Sequence, residues 1–340
     1  MIRKRLSKAV FIVLAVLAAA LLASCSEEAP PSLKEGDFIY MKASDGNSYE
    51  LISYDGEETV LTIPASVQGY RVSAVSDGVF QGNETLESVT VSDGISLIGK
   101  EAFCGCSALE SVVLPDSILS IETAAFEGCT SLSSIRLPQT LSKLNDRTFK
   151  RCFSLKKIEL PSNVSYIGDG VFEQCISLMT FTLPNETATM GACFIGCTSL
   201  YRVDLNKELR EIADETFAEC RSLWSINGGE SVSKIGSGAF RNCKALESFT
   251  VPKSVRVVGP DAFRGCSALE DVRFYERVQA DGSLTGATVR TNAFLGCDAL
   301  TALYYYHSGE DKAVRLTIEP IGNESLTEAQ VIFSYFSEVD

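Results

Sequence analysis

The chain has 340 residues, 45% of them hydrophobic and 22% charged, with a formal net charge of −14 at pH 7. That composition leaves room for a large buried core and argues against wholesale disorder, while the length, enough for two or three ordinary domains, makes internal repetition the first thing to check. A strongly acidic body is repelled by phosphate backbones and anionic lipid heads, which disfavours nucleic-acid binding and attachment to a membrane by charge.

The chain begins with four basic residues, Arg3, Lys4, Arg5 and Lys8, and continues as an unbroken apolar run from Ala9 to Ala23. This is the charged-then-apolar order of an export signal. The run is shorter than the roughly 20 residues needed to cross a bilayer as a helix, which favours a cleaved signal, residues 1–24, over a retained span. Its end, Leu22-Ala23-Ser24-Cys25, resembles the lipobox of bacterial lipoproteins. That resemblance implies that Cys25 is acylated and becomes the new N-terminus; an ordinary signal peptide is the alternative. Loss of residues 1–24 removes four basic and no acidic residues and takes the formal charge from −14 to −18. Membrane attachment is then expected through the N-terminal lipid only. One acyl chain anchors marginally, and the resemblance implies several.

Residues 25–37 read as a flexible acidic tether. Residues 38–63 carry strand-like runs separated by Asp45-Gly46-Asn47 and Asp55-Gly56 and are expected to form a hairpin that caps the N-terminal end.

From there the chain is periodic. Phe80, Phe103, Phe126, Phe149, Phe172, Phe194, Phe217, Phe240 and Phe263 are spaced by 23 residues, except for one step of 22, and Phe294 follows after 31. Three residues after each Phe except the first stands a Cys, from Cys106 to Cys297, and six after each stands a Leu, from Leu86 to Leu300. In the unit from Leu109 to Cys129, Val112 and Leu114 alternate with Ser111 and Val113, the period of a short half-buried strand. Pro115 ends it, a second extended piece holds Ile118 and Ile121, and Ala124 to Cys129 suits a brief helical turn. A unit this small cannot bury its apolar stripe alone, so successive units must stack into a solenoid with one continuous core.

The repeat closely resembles the treponemal, or BspA-like, class of leucine-rich repeats, whose pattern is roughly LxxIxLPxxLxxIGxxAFxxCxxL. The resemblance covers about residues 60–300 and implies a leucine-rich-repeat solenoid of short strands and short helical turns, capped at both ends. We assign the solenoid to 64–301 and a C-terminal cap to 302–340, which keeps β-prone stretches such as Val331 to Phe336. Asn206 and Gly229 stand where Pro is expected, Asn83 replaces the first Cys, and an insertion lies near Tyr275 to Val289. These departures point to a break in local regularity, above all at Asn227-Gly228-Gly229.

Signs of catalysis are sparse. Twelve Cys in an exported protein ordinarily suggest disulfides, but nine share one repeat position and would stack one per coil, which reads as a column of small buried hydrophobes. Cys193 falls at a packing position, and Cys104, two residues from Cys106, reads as an exposed thiol. Neither a CxxC pair nor a zinc-spaced Cys/His cluster occurs, the one histidine, His307, has no recognisable catalytic partners, and no Gly-rich phosphate loop precedes a long helix. The expectation is therefore no enzyme, no metal and no cofactor.

Ligand candidates come from coils that break the rule. The seventh residue after each Phe is mostly polar, yet Met179, Tyr201 and Trp224 occupy it on three consecutive coils, Trp224 being the only tryptophan. Stacked, they make an apolar strip of the kind that anchors partners, unless a loop covers it. Outward strand positions, Arg202 and Asp204 among them, form a second candidate surface, although pairing between strand charges explains them equally well. The resemblance implies adhesion: a lipid-anchored envelope protein, at the outer membrane or cell surface, that engages a host or bacterial surface protein or a glycan. An envelope structural or assembly protein is the alternative, and a carbohydrate-active enzyme a minor one.

Overall fold

The computed structural model describes residues 32–278, 284–307, 317–319, 321–324 and 330–335. The signal segment 1–24 and Cys25 lie outside the described residues, as does part of the insertion and of the C-terminal cap.

The repeats form a parallel β-solenoid in which each 23-residue period makes one coil. One side of the coil is a strand of two to four residues, as in Ser88–Val91, Ser111–Val113, Thr180–Thr182 and Arg202–Asp204. Successive strands pair parallel and in register, Val89 with Val112 and Phe181 with Val203 with Ile226. A second side carries two-residue strands such as Tyr166–Ile167 and Thr189–Met190, also paired one coil to the next. Because side chains alternate across a strand, Val203 is buried while its neighbour Arg202 is exposed.

The third side corrects the expectation of short helical turns. Between Glu101 and Leu109 the backbone bonds run from residue i+3 back to i, as in Cys104 to Glu101, Cys106 to Phe103 and Leu109 to Cys106. The residues two before and two after each Phe often take positive φ, Ala124 at 57° and Gly128 at 74° around Phe126. A left-handed residue interrupts right-handed helix, so the segment is a chain of tight turns. Between coils these turns form their own ladder, with the Phe103 N–H donating to the Ala125 carbonyl at 2.8 Å.

The core is the repeat itself. The ten phenylalanines stack with centroids 4.9 to 6.0 Å apart and their planes within 15° of parallel, and every repeat Leu is buried. Each of the nine repeat Cys is buried and free, and its Sγ donates to the carbonyl of the preceding coil's Phe, Cys129 to Phe103 at 3.2 Å and Cys197 to Phe172 at 3.0 Å. Burial drives the thiols of the seven from Cys129 to Cys266 up, Cys175 to about 12, so they stay protonated and able to donate.

Both ends use other residues to close the stack. Ser32–Glu35, Phe38–Lys42 and Ser48–Tyr54 pair antiparallel in sequence order, so the end of the segment read as tether is itself a strand. Ser48–Tyr54 then pairs parallel with Tyr70–Val75, and Tyr54 continues the aromatic stack 5.4 Å from Phe80. Val60–Ile63, placed with the hairpin by sequence, pairs parallel with Ser88–Val91 and belongs to the first coil. At the far end Ala302–His307 and Gln330–Tyr335 extend the strand ladder parallel to Asp271–Tyr275, and the buried Asn323 accepts the Phe294 N–H through Oδ1 at 2.9 Å.

Candidate functional site

Met179, Tyr201 and Trp224 stand where the repeat places them, one above another just before the strand of their coils. The Tyr201 N–H donates to the Met179 carbonyl at 2.9 Å, and the Trp224 N–H to that of Tyr201 at 3.1 Å. Backbone rungs thus hold the three side chains at strand spacing. Each remains in solvent, 46%, 39% and 58% exposed, so no described loop covers the strip. A shallow depression beside it is lined by Lys156, Ser177, Met179, Ser199, Tyr201 and Ser222. In the same column the other coils carry Glu87, Glu110, Ser133, Lys156, Glu247, Glu270 and Thr301. Apolar area is therefore concentrated on three adjacent coils of an otherwise polar line.

Arg202 and Asp204 are brought together with the strip but are not free to meet a charged ligand. They pair along their own strand at 3.0 Å, and Asn227 Nδ2 donates to the same Asp204 oxygen at 2.7 Å. Partial burial pushes the Asp204 carboxyl up, but the bonds from Asn227 and Arg202 outweigh it and hold the group below the usual carboxylate range. Lys157 and Glu159 repeat the arrangement at 2.5 Å. Both pairs join positions two residues apart on one coil rather than on neighbouring coils.

Two of the departures from the repeat, Asn206 and Asn83, have a structural substitute. The Asn206 side chain accepts the Glu208 and Leu209 N–H groups at 2.9 and 2.8 Å and donates to the Thr187 carbonyl at 2.9 Å, tying the turn that Pro makes elsewhere. Asn83 Oδ1 likewise accepts from Thr85 and Leu86. Gly228 has no such substitute. Val91, Leu114, Leu137, Leu160, Leu183, Leu205, Val251 and Phe274 fill its position in other coils. Its absent side chain leaves a cleft of about 350 Å³ against Trp224, floored by Leu205, Ile212, Val232 and Phe249. Sequence marked this place only as irregular.

A second group that sequence did not single out lies near the C-terminal end of the same face. Tyr275 stacks on Tyr306 at 5.0 Å, with Lys253 over Tyr275 at 5.2 Å and Arg273 over Tyr304 at 5.6 Å. The three tyrosines are half-buried. Cys104 is half-buried too, and burial together with Glu127 and Glu101 raises its thiol. Among the described residues, no group of three or more His, Cys, Asp or Glu is placed to hold a metal ion, and no helix is long and apolar enough to cross a membrane.

The model of the BspA type leucine rich repeat region, in six copies, matches residues 73–192 and 190–309. The chain belongs to this family. As a BspA-type protein it is similar to solved structures that share the repeat. A leucine-rich-repeat protein from Eubacterium ventriosum is 16% identical, with 90% of this chain and 85% of that one covered and a TM-score of 0.50. The Treponema pallidum leucine-rich-repeat protein is 27% identical over 64% of this chain and 91% of that one, at a TM-score of 0.47. A leucine-rich cell surface protein from Faecalibacterium prausnitzii is 22% identical over 83% and 96%, at 0.42. A search among curated proteins gives no match.

Proposed function

We propose that this BspA-type protein is a non-catalytic binding protein of the bacterial cell envelope, held by a lipid on Cys25 and displayed at the outer membrane or cell surface. Its solenoid holds a host or bacterial surface protein or a glycan. The observation that carries the reading is the strip Met179–Tyr201–Trp224, an uncovered apolar line on three consecutive coils of a column that is polar elsewhere. Exposed aromatics of this kind are favoured anchors because they bury much area at little entropic cost. The family supports a binding or adhesion role in general, and the export signal and lipobox support the envelope.

The fragment from Ser26 retains every described contact, since these lie within residues 32–335. Applied to an array of matrix proteins, bacterial envelope fractions and glycans, it is expected to retain at least one ligand, and the Tyr201→Ala, Trp224→Ala form to lose it. Silence across the array from folded protein would instead favour a role in envelope assembly.

A further inference from the structure

The cleft beside Trp224 is an unfilled place in two senses. Ser225–Asn227 and Ser248–Thr250 lie on successive coils, yet they do not pair, and the strand face is interrupted between them. In the coils on either side the N–H of Leu183, Leu205 and Val251 donates to a carbonyl of the next coil, at 2.8, 2.8 and 2.9 Å. The equivalent N–H of Gly228 has no backbone partner, as at Leu114, Leu137 and Leu160, but at Gly228 the covering side chain is absent as well. The Glu247 N–H does not reach the Trp224 carbonyl either, although the Trp224 N–H meets that of Tyr201 at 3.1 Å one coil earlier and the Glu270 N–H meets that of Glu247 at 2.8 Å one coil later. Side-chain volume is missing at the same spot, because Gly228 replaces the buried apolar residue of the other coils. The fold does not close the gap by itself. Gly228 takes φ +80°, and a Cβ there would run into the Leu205 carbonyl. The stack on the opposite side stays closed, Phe217 to Phe240 at 5.4 Å. The opening is therefore a wedge confined to the strand face.

What such a wedge accepts follows from its walls. Open main-chain donors and acceptors on both edges match another main chain in extended form. A hollow that a Leu side chain fills in the neighbouring coils matches one aliphatic side chain. We infer that the wedge between Ser225–Asn227 and Ser248–Thr250 binds an extended peptide segment of a partner protein, with one leucine-sized side chain seated over Gly228 and Trp224 closing over it. This deepens the reading of the face as a binding surface, on which it rests.

Trp224 is the only tryptophan, so its fluorescence reports this wedge alone. The probes are capped octapeptides of Ser and Thr carrying a single central Leu, the same peptides with Ala there, and Leu peptides N-methylated on the flanking amides. Saturable change with the Leu peptide, and affinity weaker by about tenfold or more for the Ala and N-methylated forms, is the expected result. Ile226→Phe and the milder Val232→Leu, which crowd the hollow and spare Trp224, should abolish or weaken the response while the far-ultraviolet spectrum stays unchanged. Equal response to Leu and Ala peptides, no response to any peptide, or a response to oligosaccharides alone overturns the inference. An array ligand lost in Trp224→Ala but held normally by Ile226→Phe and Val232→Leu would sink the wedge and leave the strip reading standing.

Discussion

Cys129 shows how one residue does two jobs in this repeat. Its small apolar volume is fully buried in the core, and its thiol satisfies the Phe103 carbonyl of the coil before. The packing role was legible from the regular spacing. The donor role was not, because it depends on which carbonyl the next coil presents. With their thiols buried, the repeat cysteines should ignore a thiol reagent in the folded protein. Cys104, half-buried, should react first and slowly, faster as pH rises, since its own value is raised. Mass mapping of the labelled fragment checks this, and early labelling of Cys175 or Cys220 would contradict it. Left-handed turn positions give a second test. At Gly128, φ is 74° and a Cβ would stand at ordinary contact from Gly105, 3.5 Å from its Cα. Gly128→Ala should therefore cost about 1 kcal/mol in urea unfolding from backbone conformation alone, and an unchanged midpoint would refute that cause.

At the scale of elements, the alternation of Ser111, Val112 and Val113 was enough to place a strand, but the turn after it misled. Ala124 to Cys129 has the composition of a helical turn, and composition does not record that Ala124 and Gly128 take positive φ. Stacking decides that conformation, by aligning each turn's carbonyls with the amides of the turn before. The ends were partly legible: turn residues gave the hairpin, whereas Ser32–Glu35, polar and short, was read as tether although it pairs across Gly36-Asp37 with Phe38–Lys42. At the C-terminal end Glu319 accepts the Thr291 N–H and hydroxyl and pairs with Arg290, each at 2.7 Å. Those bonds lower its carboxyl from 4.5 to about 2. A depressed carboxyl adds stability that is present above about pH 4.5 and is lost as pH falls through about 2. Hydrogen exchange at the Thr291 amide should accordingly slow on going from pH 2 to pH 5 relative to an unstructured reference, and Glu319→Ala should remove that protection. Equal protection in the variant would show that the carboxylate does not hold this end.

Seen whole, the molecule is a stack in which equivalence makes exceptions informative. The period of 23 predicted the solenoid, the buried Phe and Leu columns and the exposed strip, because each depends only on position within a coil. The cleft at Gly228 was visible in sequence only as a broken pattern, since its shape depends on how Leu205, Val232 and Phe249 fail to close over it. Acidic charge over the rest of the molecule, paired at Lys157–Glu159 and Arg202–Asp204 where it meets the strip, leaves apolar contact as the strongest local attraction on this face. The most direct measurement compares three forms of the Ser26 fragment against one captured ligand: the unchanged protein, Tyr201→Ala with Trp224→Ala, and Tyr166→Ala. Tyr166 is 41% exposed on the other strand column and controls for loss of any surface aromatic. Binding lost in the double variant and kept in Tyr166→Ala is the predicted result. Binding kept in the double variant, or lost only with Tyr166, would contradict the assignment of this face.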